Sequence, residues 1–257
     1  MTTYTTLVIP RLCDLPQNTL TPLAQKLRDF KLNALLSDPN AFSQSHATES
    51  QLPLSAWEAR VSNPDFRIVV CLVESDQLNR LGQEEGVENN ETGKELEKVV
   101  ERLLKNDWAG TFTLVGPVAR DAWIFQSSGQ PTPGTDEKEK RWHLTSLFVL
   151  PKHRGQKLAA KLTLAAVQAG TSISQSVPAP VSGSQEVRLN TRFRLIVHPN
   201  NKPVVGLYSK LGFVEGGFYT QKEAMIAMGD AAGIPDDAEG EKWNSRFGIG
   251  MERIVQG

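Results

Sequence analysis

Two cysteines, four histidines and three tyrosines are a thin supply of reactive side chains for 257 residues. Cys13 and Cys71 stand far apart with no Cys-x-x-Cys spacing, so neither a disulfide framework nor a zinc site is expected. There is no G-x-x-x-x-G-K-[ST] and no G-x-G-x-x-G, which removes the P-loop and dinucleotide fingerprints. No apolar run reaches the roughly 18 residues that a membrane helix needs. The opening Met1-Thr-Thr-Tyr-Thr-Thr lacks the basic and apolar regions of a secretory signal, so a cytoplasmic-type protein is expected, with the nucleus as a secondary location. Net charge is also nearly absent: 28 Lys+Arg against 29 Asp+Glu leaves −1. A balanced chain without a clustered basic face has no general attraction to nucleic acid or to an anionic membrane.

What is present is ordinary globular material, 39% hydrophobic and 22% charged, long enough for a real core. Thr2 to Ile9 is rich in β-formers, and Pro10 stops it. Thr21-Pro22 opens a helix whose Leu23, Leu27, Phe30 and Ala34 share a face before Asp38-Pro39 ends it. A second helix is predicted from Leu54 to Val61, then a covered strand from Arg67 to Val73. Residues 77–105 break the pattern as an insertion. Its second half carries a capping box, Thr92-Gly-Lys-Glu95, and a helical stripe of Leu96, Val99, Val100 and Leu103. With seven Glu against five Lys/Arg it is mildly acidic, which suits a solvated helix and gives only a weak pull on a cationic ligand.

Strand signals return at Trp108 to Val115 and near Trp123 to Phe125, followed by a loop from Ser127 to Lys140. Residues 171–187 read as a second, low-complexity insertion. Arg192 to Val197 is a strand, Lys202 to Leu211 a short helix, and Phe247 to Val255 a closing strand. Strand and helix alternate throughout, so the expected class is α/β or α+β, one domain over 1–257 with insertions at 77–105 and 171–187.

The segment His143 to Ala169 carries the chemistry. The strand Leu144 to Leu150 is ended by Pro151, which lacks a ladder donor. A basic turn, Lys152-His153-Arg154-Gly155-Gln156, leads into a helix with Leu158, Ala159, Leu162, Ala165 and Ala166 on its inner side. The first amides of that helix have no intrahelical acceptor and lie at its positive end, a setting suited to phosphate or pyrophosphate.

These residues, from Val149 through Arg154-Gly-Gln-Lys-Leu-Ala159 to Leu162, resemble the acetyl-coenzyme A signature of the GNAT N-acetyltransferase superfamily, [QR]-x-x-G-x-[GA] after a bulged strand. Lys157 stands where the central glycine of that pattern falls, and a left-handed backbone is harder for lysine. A second stretch, Asn201-Lys-Pro-Val-Val-Gly-Leu-Tyr208-Ser-Lys-Leu-Gly212-Phe213, is similar to the family's N-x-x-A-x-x-L-Y-x-x-x-G-F element, with Val204 in place of alanine. Residues 35–42 look like its substrate-side helical hairpin, and the piece from Gln221 to Asn244 stands outside the likeness. The resemblance implies a single mixed, mostly antiparallel sheet flanked by helices, and direct attack of an amine on acetyl-coenzyme A without an acyl-enzyme.

It also implies site residues. Coenzyme A would lie on the amides of Arg154, Gly155, Gln156, Lys157, Leu158 and Ala159 and on strand-edge groups at Phe148 and Val149. An N–H between Leu147 and Val149 would serve the oxyanion. Tyr208 would meet the departing thiolate, and Asn201 would touch the pantetheine arm or fix a loop. His143 is the candidate general base or water-orienting group, since imidazole titrates near neutrality; Glu49, Glu58 and Glu74 stand as substitutes. His153 and His198 read as loop-positioning groups, and Trp57, Trp108 and Trp142 as core or pocket walls. No metal is implied. The acceptor is a primary amine, a small molecule being favoured over a protein. The rival reading is a non-catalytic acyl-coenzyme A-binding or regulatory protein of the same fold.

Overall fold

The β-rich and helical stretches resolve in a computed structural model that describes residues 2–11, 14, 18–42, 44–74, 91–176 and 188–257. The order is β1 (Thr3–Val8), α1 (Leu20–Ser37), α2 (His46–Glu49), α3 (Leu54–Ser62), β2 (Phe66–Glu74), α4 (Glu91–Lys105), β3 (Asp107–Val115), α5 (Arg120–Trp123), β4 (Glu139–Val149) and α6 (Leu158–Ser176). Then come β5 (Asn190–Val197), α7 (Lys202–Lys210), β6 (Val214–Tyr219), α8 (Gln221–Ala227), α9 (Glu241–Asn244) and β7 (Gly248–Val255). The seven strands form one mixed sheet in the order β1-β2-β3-β4-β5-β7-β6. β1–β2, β5–β7 and β6–β7 are antiparallel, while β4–β5 is parallel. This is the mixed, mostly antiparallel sheet that the resemblance implied.

Contacts divide the described chain into two compact units, 1–113 with 146–165, and 114–145 with 166–257. The first is built on β2, whose Val70 and Leu72 are wholly buried against Leu23, Ala24, Phe30 and Ala34 of α1, Trp57 of α3 and Leu103 of α4. The helical stripes predicted for α1, α3 and α4 therefore all face one core. α4 is also held by charge. Its Arg102 donates to Glu74 at 2.5 Å, and the Thr5 hydroxyl donates to the same carboxylate at 2.7 Å. Burial pushes the Glu74 carboxyl up, but those two hydrogen bonds and the Arg102 and Lys161 cations outweigh it and hold it below its ordinary range.

The second unit pairs an apolar sheet face with a charged one. Trp142 and Phe193 are fully buried; Trp142 donates its indole N–H to the Ser174 hydroxyl at 3.0 Å, and Gly170 lies close to the Phe193 ring. The other face carries Glu139, Arg141 and His143 on β4, Arg192 and Arg194 on β5, and Glu252 on β7, set by the registers His143↔Arg194 and Arg194↔Glu252. Arg192 bridges Glu139 at 2.9 Å and Glu252 at 2.6 Å. Arg194 stacks 3.8 Å from the Trp123 ring and donates to the Trp123 carbonyl at 2.8 Å, with Phe125 and Tyr219 completing its aromatic surround.

Several local expectations are corrected. Trp123 ends the helical turn α5 rather than opening a strand; its amide bonds back to Ala119, and three residues are too few for periodicity to decide. Residues 171–176 continue α6 instead of starting a linker, because Ser174 satisfies its hydroxyl on the Gly170 carbonyl at 2.7 Å. β6 lies where no strand is predicted; the ladder to β7 is irregular between Glu215 and Phe218, and Gly217 sits there at φ 105°, close to the Ser128 carbonyl. β4 also starts within the stretch assigned to a loop, and α4 begins ahead of Thr92. Cys13, residues 177–187 and much of the first insertion fall outside the described residues.

Gly110 of β3 lets the strand pass close under the end of β4. A Cβ there would lie 2.7 Å from the Phe148 carbonyl oxygen and 3.0 Å from Leu162. Gly110→Ala should therefore destabilise the protein by about 1–3 kcal/mol, read as a lower denaturation midpoint with unchanged slope.

Candidate coenzyme loop and active-site residues

β4 reaches the loop through an irregularity. Its parallel ladder to β5 runs from Glu139↔Asn190 to His143↔Arg194, and Ser146, exposed, then takes a left-handed backbone at φ 58°. Phe148 and Val149 follow; the Phe148 ring is buried against Phe30 and Phe42, so what these residues offer a ligand is backbone. Pro151–His153 forms a short 3₁₀ turn. Beyond it the backbone goes left-handed twice, at Gly155 (φ 81°) and Lys157 (φ 57°).

The first intrahelical bond of α6 runs from Lys161 N–H to the Lys157 carbonyl at 3.1 Å. The amides of Leu158, Ala159 and Ala160 consequently have no acceptor within the helix. Gly155, Gln156 and Lys157 are exposed, so their peptide groups border the same helix end. This combination of free N–H groups and a helix's positive end takes an anion of phosphate size. Gly155 supplies torsion rather than room, for a Cβ there would meet nothing within 4 Å. Lys157 adopts the conformation that its missing glycine would have taken freely.

Arg154 has a different part. Its amide donates to the Pro151 carbonyl at 3.1 Å and its Nε to the Val149 carbonyl at 3.1 Å, while Nη2 pairs with Asp38 at 2.8 Å. Its backbone N–H is thus already used.

Tyr208, Asn201 and His143 belong to the second unit. Tyr208 of α7 is buried, with its ring edge-on to Phe213 at 5.5 Å. Its hydroxyl is neither bonded to a described residue nor sealed from solvent. Burial pushes that phenol far above its ordinary range. Asn201 caps α7 by position, its carbonyl accepting from Val204 and Val205 at 3.0 Å, but its exposed side chain makes no cap bond.

His143 is not where a base is easily used. It is 2% exposed, its Nδ1 has no partner, and complete burial beside the Arg194 cation drives its basicity well below the ordinary imidazole value. The substitutes are engaged as well: Glu49 is held by both Arg60 nitrogens at 2.5 and 3.0 Å, Glu58 accepts from Thr21, and Glu74 from Arg102. His153 and His198 do position turns, through Tyr4 at 3.2 Å and the Asn200 amide at 3.2 Å. Trp57, Trp108 and Trp142 are core. Among the described residues no group of His, Cys, Asp and Glu could hold a metal, and no helix is long and apolar enough to cross a membrane. Burial raises the Cys71 thiol to about 11 despite Lys161, which removes it as a nucleophile at neutral pH. The sequence did not reveal the Asp38–Arg154 pair, which has no local signature.

No family model matches the chain, and no curated protein matches it in sequence. Solved structures similar to it include an acetyltransferase of GNAT family from Streptococcus pneumoniae (14% identity, TM-score 0.49, covering 98% of this chain and 99% of that one). NAA60 of Arabidopsis thaliana in complex with acetyl-CoA is similar at 13% identity and TM-score 0.44, with 98% of each chain covered. Spermidine N-acetyltransferase from Vibrio cholerae in complex with CoA and spermine is similar at 12% and 0.42, covering 98% of this chain and 94% of that one. The likeness is one of fold: a seven-stranded mixed sheet with a parallel β4–β5 pair, and a β4 that runs into a loop with left-handed residues.

The two left-handed positions give opposite expectations. Gly155→Ala should lose about 1–2 kcal/mol of stability. Lys157→Gly should relieve a similar strain against about 0.5–1 kcal/mol of added unfolded-chain entropy, a net gain of up to about 1 kcal/mol. Denaturant titration of both variants checks the pair.

Proposed function

We propose that the chain is an acetyl-coenzyme A-dependent N-acetyltransferase acting on a primary amine. The observation that carries this reading is the loop from Gly155 to Ala159, where two left-handed residues lead exposed chain into a helix whose first amides have no intrahelical acceptor, a setting suited to an anion. The coenzyme's diphosphate is that anion. A left-handed lysine kept in such a loop is consistent with a ligand role for it, with Phe148 and Val149 offering backbone to the arm of an acyl thioester.

The reaction is a direct transfer. The neutral amine's lone pair attacks the thioester carbonyl, and an N–H of the 147–149 backbone steadies the oxyanion. The C–S bond then breaks, and the amine's surplus proton is released as the thiolate leaves. Tyr208 is assigned to that thiolate by its place in the second motif. Its phenol stays protonated at any working pH, above an alkyl thiol's pKa of about 8.5, so it steadies the thiolate by hydrogen-bond donation more than by handing over its proton. Asn201, with its amide unclaimed by α7, is assigned to the pantetheine arm. Small amines are favoured as acceptors over proteins.

One observation favours a second reading. His143 is buried, and Glu49, Glu58 and Glu74 are all engaged, which fits a non-catalytic acyl-coenzyme A-binding protein. Thiol release from acetyl-coenzyme A with a panel of polyamines, amino acids, amino sugars and basic peptides separates the two. Turnover is expected with at least one amine, and Tyr208→Phe should then lower kcat about 100-fold with little change in coenzyme affinity. Coenzyme binding with no thiol release across the panel establishes the second reading. No heat of association at millimolar acetyl-coenzyme A removes both.

A further inference from the structure

The one arginine of the coenzyme loop faces away from an anion's needs. Asp38 ends α1 as its C-cap, its amide on the Ala34 carbonyl at 3.0 Å, and its carboxylate takes Nη2 of Arg154 at 2.8 Å. The Val149 carbonyl holds Nε, and the guanidinium rests 5.3 Å from the Phe148 ring. Four residues past Asp38, Phe42 packs on Phe148 at 5.0 Å. The α1 terminus is therefore fastened to the end of β4 twice, once by charge and once by rings. Both charged groups remain partly open to solvent, 48% for Arg154 and 33% for Asp38, so an arriving ligand can reach the pair.

We propose that Asp38 is a positioning residue that withholds Arg154 from the coenzyme's diphosphate, so that affinity is set by backbone amides and kept below what the loop could reach. This rests on the coenzyme reading above. Two effects act in the same direction. The carboxylate neutralises the arginine's field, and it places a negative charge beside a site for two phosphates. A solvent-exposed pair of this kind is weak enough to be competed for, and its loss is worth up to about fivefold in an equilibrium. The consequence is a coenzyme held loosely enough to leave after each transfer.

Calorimetric titration with coenzyme A and with dephospho-coenzyme A tests the assignment. Asp38→Asn should tighten binding of both forms about fivefold and steepen the salt dependence, with a thermal midpoint near that of the wild type. Asp38→Glu, which keeps the charge, should bind like the wild type. In an Arg154→Gln background the gain from Asp38→Asn should fall by at least half. Should the amide disturb the α1 terminus, Asp38→Ser supplies the same comparison. Unchanged or weaker binding by the neutral variants overturns the proposal. So does a gain seen only with the 3′-phosphate present, or one undiminished without Arg154. A wild type that takes up neither form of the coenzyme overturns the reading beneath it instead.

Discussion

A helix cannot satisfy its own first amides, and in α6 that constraint organises everything around it. β4 delivers the chain to the helix start, Pro151 stops the strand, and the left-handed residues at 155 and 157 set the angle at which α6 departs. Gly110 brings β3 close enough for Leu162 to seat the first turns. Because the amides belong to the backbone, the site is fixed by the fold and not by any one side chain. That is why an arginine in the loop can be lent to Asp38 without dismantling the site.

The strand, loop and helix that make up residues 144–166 were legible because their signals are contiguous: a proline after an apolar strand, a glycine, then apolar residues at helical spacing. Lys157 marks the limit of such reading. Residue preference argued against a left-handed backbone there, yet the strand before it and the helix after it impose the torsion, and lysine complies. The burial of His143 was hidden for a related reason. Trp142 and Leu144 announce one buried face, but the alternation says nothing of the other, which the 116–138 connection covers with Trp123 and Phe125. The alternation of residues 142–144 therefore leaves the exposure of His143 undecided. The β6 strand carries two glycines, which are poor strand formers, and Asp38 meets Arg154 across 116 residues, a separation no local pattern spans.

The charged face of the second unit shows how such burial is tolerated. Arg192 lies between Glu139 and Glu252, each within 3 Å, so its cation is matched in kind. Arg194, one strand position further along the same face, has no carboxylate within ion-pair distance among the described residues and rests on rings and carbonyl oxygen instead.

That difference has a chemical consequence in acid. Burial holds the Glu252 carboxyl above its ordinary range despite Arg192, so in acid it loses its charge and the attraction it exerts on Arg192 goes with it. The π faces of Trp123, Phe125 and Tyr219 and the Trp123 carbonyl have no proton to gain at such acidity. The stretch that carries Trp123 is pinned to β5 by a contact that acidification leaves intact, so the strand keeps its cover after that ionic neighbour has been silenced.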